Sequence, residues 1–184
     1  MSNRTSDIVL EKINLERLGD FYDAMIESGK DWFNAGMLPK PDLSKDEFEH
    51  MIKAFIALGE QDSGYMFYVF DGITSQMVGV AFINQINRTH QIGNLGYVVR
   101  TSRTGEGIAT EAARLVAQYG FEKLGLQRIE IVVHPDNAPS LRVAEKLGAT
   151  REVLLRNRLR LHGVPCSAYL HSLIPADFAI NQTA

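Results

Sequence analysis

Between Tyr65 and Val99 the chain carries three strand-like runs in succession, and directly after them its hydrophobic period changes. Tyr65–Phe70 is aromatic and β-branched and meets a turn opening at Asp71-Gly72. Met77–Ile86 follows, and a polar turn over Asn87–His90 leads into Gln91–Val99. Runs joined by turns this short pair antiparallel, as a meander. Ile108, Ala112, Leu115, Val116 and Tyr119 then recur in helical spacing, on a helix ending near Gly125, before a compact β-branched strand at Arg128–Val133. A strand reached through a helical crossover returns parallel to the strand before it. The chain is thus constrained to a mixed sheet whose parallel pair flanks the long helix.

The flanks extend this frame. A strand at Ile8–Ile13 precedes a helix capped by Asn14, with Leu15, Leu18, Phe21, Tyr22, Met25 and Ile26 on its apolar face and Gly29 as its end. A loop with Trp32, Phe33, Gly36, Pro39 and Pro41 follows. Ser44-Lys45-Asp46-Glu47 has the spacing of a capping box, and Phe48, Met51, Ile52, Phe55 and Ile56 carry that second helix. A helix over about Ala138–Lys146 stops at Gly148, and strands at about Arg151–Leu161 and Pro165–Leu173 close the chain. The expected order is β-α-α-β-β-β-α-β-α-β-β. That is an α+β (mixed α/β) fold, with a mostly antiparallel sheet of about seven strands and about four helices. One domain is expected over residues 1–184, with a tail from about 175.

Composition narrows the function classes. With 184 residues, 45% of them hydrophobic and 22% charged, the chain can bury a sizeable core and is too apolar to remain disordered. Its longest apolar run, Met77–Ile83, falls far short of the ~20 residues of a membrane span. A net charge of −3 lacks the basic footprint of general nucleic-acid binding. The single cysteine, Cys166, cannot form an intrachain disulfide, and Met1–Asp7 lacks the apolar stretch of a secretory signal. The expectation is a cytoplasmic protein, monomer or homodimer, with no nucleic-acid, membrane or metal partner.

The segment Val98-Val99-Arg100-Thr101-Ser102-Arg103-Thr104-Gly105-Glu106-Gly107-Ile108-Ala109-Thr110-Glu111 reads as a strand, a short glycine loop and a helix start. Glycine lets the backbone turn sharply and approach a ligand closely. The first helical N–H groups have no partner within the helix and carry the positive end of its dipole, so a pyrophosphate is a natural guest. Arg100 and Arg103 can add charge at the rim. Taken alone, the glycine pattern also fits a plain turn. A dinucleotide fingerprint fits poorly, because Thr110 stands where its third glycine belongs, and no Gly-Lys-Ser/Thr marks a nucleotide loop.

The second informative segment is His134-Pro135-Asp136-Asn137-Ala138-Pro139-Ser140-Leu141-Arg142-Val143-Ala144-Glu145-Lys146-Leu147-Gly148-Ala149, directly after the strand Arg128–Val133. Together the two segments resemble the acetyl-CoA motifs of the GNAT N-acetyltransferase superfamily, closely from about Tyr65 to Ala149 and loosely elsewhere. Gly96-Tyr97, Gly107-Ile108-Ala109-Thr110-Glu111 and Ser172-Leu173-Ile174-Pro175 are similar to the Rim-type ribosomal-protein N-terminal acetyltransferase branch. The resemblance implies acetyl-CoA as cosubstrate. Backbone amides of Thr104, Gly105, Glu106, Gly107, Ile108, Ala109 and Thr110 would cradle its pyrophosphate. The backbone at Val98 and Val99 would pair with the pantetheine arm, and Asn137 would hydrogen-bond it. The thioester would lie between strands diverging near Val99 and Val133. The sequence departs from the superfamily in having Thr104 where Gln or Arg commonly opens the loop. It also has Ala144 where many members carry a tyrosine acid, which leaves Ser140, one helical turn earlier, as the group serving the departing thiolate.

The attacking amine must be neutral, which is easier for an N-terminal amine near ~8 than for a lysine-like ammonium near ~10.4. The carbonyl oxygen needs a donor, for which a backbone N–H at Val98 or Val99 is in place. No Asp or Glu lies between Gly72 and Val99, so Asn84, Asn94, Glu130, His134 and His171 are the polar strand positions near the expected cleft. Trp32 and Phe33, with Asn84 and Asn94, are candidate acceptor contacts, and Asp31 and Asp42 could attract an ammonium. The expected reaction is direct acetyl transfer to a primary amine, by resemblance a protein N-terminus. The alternatives are a small amine (polyamine or antibiotic) as acceptor, or a CoA-binding module without catalysis.

Overall fold

The structure is a computed structural model that describes residues 7–177. Residues 1–6 of the polar N-terminus and 178–184 of the expected tail lie outside the described residues. The elements follow the expected order: β1 (Ile8–Lys12), α1 (Leu18–Asn34), α2 (Lys45–Glu60), β2 (Tyr65–Asp71), β3 (Met77–Asn87), β4 (Ile92–Val99), α3 (Ile108–Glu122), β5 (Arg128–Val133), α4 (Ala138–Lys146), β6 (Thr150–Leu161) and β7 (Val164–Leu173). A 3-10 turn at Thr101–Arg103 precedes the glycine loop.

The seven strands form one sheet in the order β1-β2-β3-β4-β5-β7-β6. β1 through β4 pair antiparallel in succession, β4 and β5 are parallel, and β7 inserts antiparallel between β5 and β6. Two cores cover the two faces. On one face Ile108, Ala112, Ala113, Val116 and Ala117 of α3 and Ala144 of α4 pack on Val69, Ile83, Leu95, Ile129 and Ile131. On the other, Phe21, Met25 and Trp32 of α1 and Phe48 and Ile52 of α2 pack on Met66, Tyr68, Val80, Phe82 and Val98. This explains why β2 and the first half of β3 read as unbroken apolar runs, buried on both sides, whereas β5 alternates.

Two local expectations need correction. Gly29 does not end α1, which runs five residues further to Asn34 and so carries Trp32 and Phe33 on a helix rather than a loop. A Cβ at position 29 would run into the Pro41 carbonyl, so this glycine serves a close approach of the α1–α2 loop. Asn14 does not cap the helix either: its Oδ1 accepts from the Arg17 N–H at 3.1 Å, making a turn before α1, whose N-cap is Arg17. The Ser44–Glu47 capping box is present as expected.

The parallel pair positions the site. β4 and β5 pair only at their beginnings, Ile92 with Arg128, Gly93 with Ile129 and Asn94 with Glu130. Beyond that point β4 stays with β3 as far as Val99 and β5 stays with β7 as far as Val133. The sheet therefore opens between them, toward the glycine loop and the start of α4.

Candidate active site

The phase of the β3–β4 ladder decides which backbone groups face this opening. Arg100 donates its N–H to the Val78 carbonyl at 2.8 Å, and the register continues as Val98–Val80 and Gly96–Phe82. Residues of an antiparallel strand alternate in the side to which their N–H and C=O point. Val98 thus commits its backbone to β3, while Leu95, Tyr97 and Val99 turn theirs into the opening. Of the two valines expected to meet a pantetheine arm, the geometry offers Val99. Its carbonyl already accepts the indole N–H of Trp32 at 3.0 Å, leaving its N–H as the donor.

At the outer end lies the glycine loop. Gly105 and Gly107 both sit at φ +86°, a conformation costly to any residue with a Cβ, and open space surrounds the points where a Cβ would stand. Thr104, Gly105, Glu106 and Gly107 are exposed, and no side chain caps α3. The N–H groups at the start of α3 thus have no side-chain cap, and the helix adds its positive end. This cradle fits a pyrophosphate.

The arginines expected at its rim are used otherwise. Arg103 forks onto Glu106 and reaches Asp71 at 2.8 Å and Gln76 at 3.1 Å, tying the loop to the end of β2. That guanidinium, helped by the N–H groups of Thr74 and Ile73, holds the Asp71 carboxyl down at about 2. Arg100 pairs with Glu27 of α1 at 2.8 Å. Ser102 N–H donates to Glu27, Thr101 N–H to the Ser28 hydroxyl, and the Thr101 hydroxyl to Asp31 at 2.6 Å. Asp31 is therefore a strut between α1 and the loop.

At the inner end, Asn137 caps α4, its Oδ1 accepting the Ser140 N–H at 3.1 Å. Its amide NH₂ has no protein acceptor among the described contacts and remains a donor for a ligand. Ser140 stands in the first turn, half-buried, with its Oγ 3.0 Å from the Tyr97 hydroxyl of β4. Burial pushes that phenol up to about 12, against the opposing pull of its bond to Ser140. Sequence reading placed Tyr97 in a motif without giving its side chain a task, because its partner is 43 residues away.

The groove beside the opening is built from elements far apart in sequence. Phe33, Gly36, Met37, Leu38 and Pro39 of the α1–α2 connection face Arg160, His162 and Gly163 of the β6–β7 hairpin across about 310 Å³. The Phe33 and His162 rings lie 4.2 Å apart. Phe33 thus lines this groove. Trp32 does not: it is 3% exposed, packed in the core, and touches the site only through the Val99 carbonyl. No carboxylate lines the groove, and among the described residues none lies within ion-pair distance of Arg156, Arg158 or Arg160 on β6. The alternating arginines were the available sequence signal; which strand they would face was not.

The other polar candidates are engaged by neighbours within the protein. Asn94 donates to Asn84 at 3.0 Å at the paired end of β4, five residues or roughly 17 Å from Val99. Glu130 pairs with Arg128 at 2.9 Å. His134 accepts the Asp136 N–H in the turn before α4. His171 is buried beside Arg151, its pKa lowered first by desolvation and then by that guanidinium. Among the described residues there is no cluster of metal-binding side chains, and no helix is long and apolar enough to cross a membrane.

Comparison with known proteins fits this geometry. Residues 7–150 match the model of the acetyltransferase (GNAT) domain, and the chain belongs to that family. It is 39% identical over 106 residues to YjcK of Bacillus subtilis, named as a probable N-acetyltransferase, across 57% of this chain and 59% of that protein. It is 25% identical over 122 residues to the spermidine N(1)-acetyltransferase of Escherichia coli K12, across 63% and 65%. The chain thus matches about three fifths of the length of these relatives. A Vibrio cholerae structure described provisionally as a ribosomal-protein-serine acetyltransferase superposes with a TM-score of 0.77 at 28% identity, covering 95% of this chain and 100% of that one.

Proposed function

We propose that this chain transfers the acetyl group of acetyl-CoA directly to a primary amine, the N-terminal α-amine of a protein or peptide. The observation that carries the reading is the opening between β4 and β5, with an uncapped helix N-terminus at one end and Ser140 at the other. Acetyl-CoA would supply an activated thioester. The loop amides from Gly105 to Thr110 would hold its pyrophosphate, and Asn137 and Val99 its arm. The Val99 N–H would donate to the carbonyl oxygen as charge develops there, and Ser140 would donate a hydrogen bond to the departing sulfur.

The groove speaks to the acceptor. Attack needs a neutral amine; Glu130 is held in an ion pair with Arg128, while Asp31 accepts the Thr101 hydroxyl and keeps its charge. An α-amine near ~8 loses its proton readily at neutral pH, a polyamine near ~10 does not. A groove with Arg160, His162 and no carboxylate also repels a polycation. The spermidine-acetylating relative favours the second reading, a polyamine acceptor, and one assay separates the two. Thiol release from acetyl-CoA is measured with short peptides bearing free or blocked N-termini and with spermidine. Faster turnover of free-amine peptides is expected. Turnover of spermidine alone would move the acceptor to the polyamines. Binding of acetyl-CoA, seen as a raised melting temperature, without turnover of any amine would leave only a binding module.

A further inference from the structure

Tyr97 carries a half-buried hydroxyl in the site that the proposed reaction leaves unused. Its ring crosses from β4 to α4 where the strands have already parted, and its Oη has two polar neighbours, Ser140 Oγ at 3.0 Å and Ser140 O at 3.3 Å. Ser140 itself is fixed from the other side, since Asn137 receives its N–H and α4 fixes its backbone. A serine hydroxyl has one proton and two lone pairs. Whether that proton is free for a ligand depends on what Tyr97 does with its own.

We infer that Tyr97 is a positioning residue for Ser140: its phenol donates to Ser140 Oγ, which turns the serine proton toward the opening where the thiolate departs. The inference rests on the proposed acetyl transfer and on the role given there to Ser140. The direction of donation is part of the inference, since either hydroxyl can donate across this contact and the phenol has two acceptors within reach. Ser140 Oγ at 3.0 Å is the nearer of the phenol's two acceptors, the Ser140 carbonyl lying at 3.3 Å, and burial keeps that phenol protonated throughout the working range. With Tyr97 as donor, Oγ gains partial positive character and its O–H becomes a stronger donor, as in any chain of hydroxyls. The phenol keeps its proton; only the proton of Ser140 is shared with the sulfur. The backbone of the same residue faces the opening, so a shift of β4 would move the arm's strand partner and the serine's support together.

The test is a double-mutant cycle on kcat with acetyl-CoA and the fastest free-amine peptide. Y97F is expected to lower kcat about tenfold and S140A about a hundredfold, with KM for acetyl-CoA within about twofold of the parent. The double variant should be no slower than S140A, because Tyr97 acts only through that hydroxyl. Multiplying effects, or an unchanged kcat in Y97F, would overturn the inference. An unchanged kcat in S140A would instead overturn the role of Ser140, and with it the inference. Should Y97F unfold at the assay temperature, 3-fluorotyrosine at position 97 keeps the ring and strengthens the donor. It should hold or raise kcat, and a fall would count against the proposal. Absence of turnover by the parent on any peptide would remove the proposed function and this inference with it.

Discussion

The two ends of the candidate site are built from different materials. The proposed cofactor side is mostly backbone: loop amides around Gly105 and Gly107, the free edge of β4, the cap of α4. The proposed acceptor side is mostly side chain: Phe33, Met37 and Leu38 against Arg160 and His162. A backbone site needs a particular local conformation, which a few residues within a dozen positions can specify. A side-chain groove needs two distant segments to meet, and its chemistry can vary without disturbing the fold. The difference explains why family membership is plain from the cofactor side while acceptor identity has to be argued from the groove.

Four substitutions probe that contrast. Trp32 joins the two sides, since it precedes Phe33 in α1 and donates to Val99. Trp32→Ala should cost about 3–5 kcal/mol of stability and weaken both acetyl-CoA and acceptor binding. Denaturant unfolding and both KM values check this, and a selective effect on one substrate would break the idea of a shared joint. Asp71 anchors the cofactor side through Arg103. Asp71→Ala should lose about 1–3 kcal/mol at pH 7. The folded carboxyl is held at about 2, below its ordinary 3.8, so the stabilisation is full above ~pH 4 and disappears as pH falls through about 2. Parent and variant melting curves should converge over that window; a constant gap would assign the loss to packing alone.

Gly107→Ala sharpens the contrast on the cofactor side alone. The φ of +86° should cost about 1–2 kcal/mol, or roughly tenfold in acetyl-CoA affinity by calorimetry, with the acceptor KM unmoved. Arg160→Glu is the mirror test. Reversing the groove charge should raise the KM of a peptide acceptor by about two- to fivefold and improve spermidine, leaving acetyl-CoA binding intact. An altered acetyl-CoA affinity would show that the two sides are not separable.

Much of the frame was legible because each signal lies within a short window. The meander, the crossover helix, the capping box at Ser44 and the α4 boundaries all follow from local period and turn chemistry. The glycine loop was legible for the same reason. The misreadings share the opposite cause. Gly29 looks like a stop until Pro41 is seen against it, and Arg103 looks like a free cation until Asp71 and Gln76 are seen beside it. Asn84 and Asn94 looked like cleft residues, but the register pairs them with each other at the far end of β4.

The sequence alone therefore determined the kind and order of elements, the one parallel pair and the glycine loop proposed to receive a pyrophosphate, since local periodicity and backbone freedom are properties of neighbouring residues. Only the tertiary structure decided that β7 enters between β5 and β6, which β4 residues face the opening, and that Tyr97 meets Ser140. Those outcomes are set by which distant surfaces bury each other most completely, and no short stretch of chain carries that information.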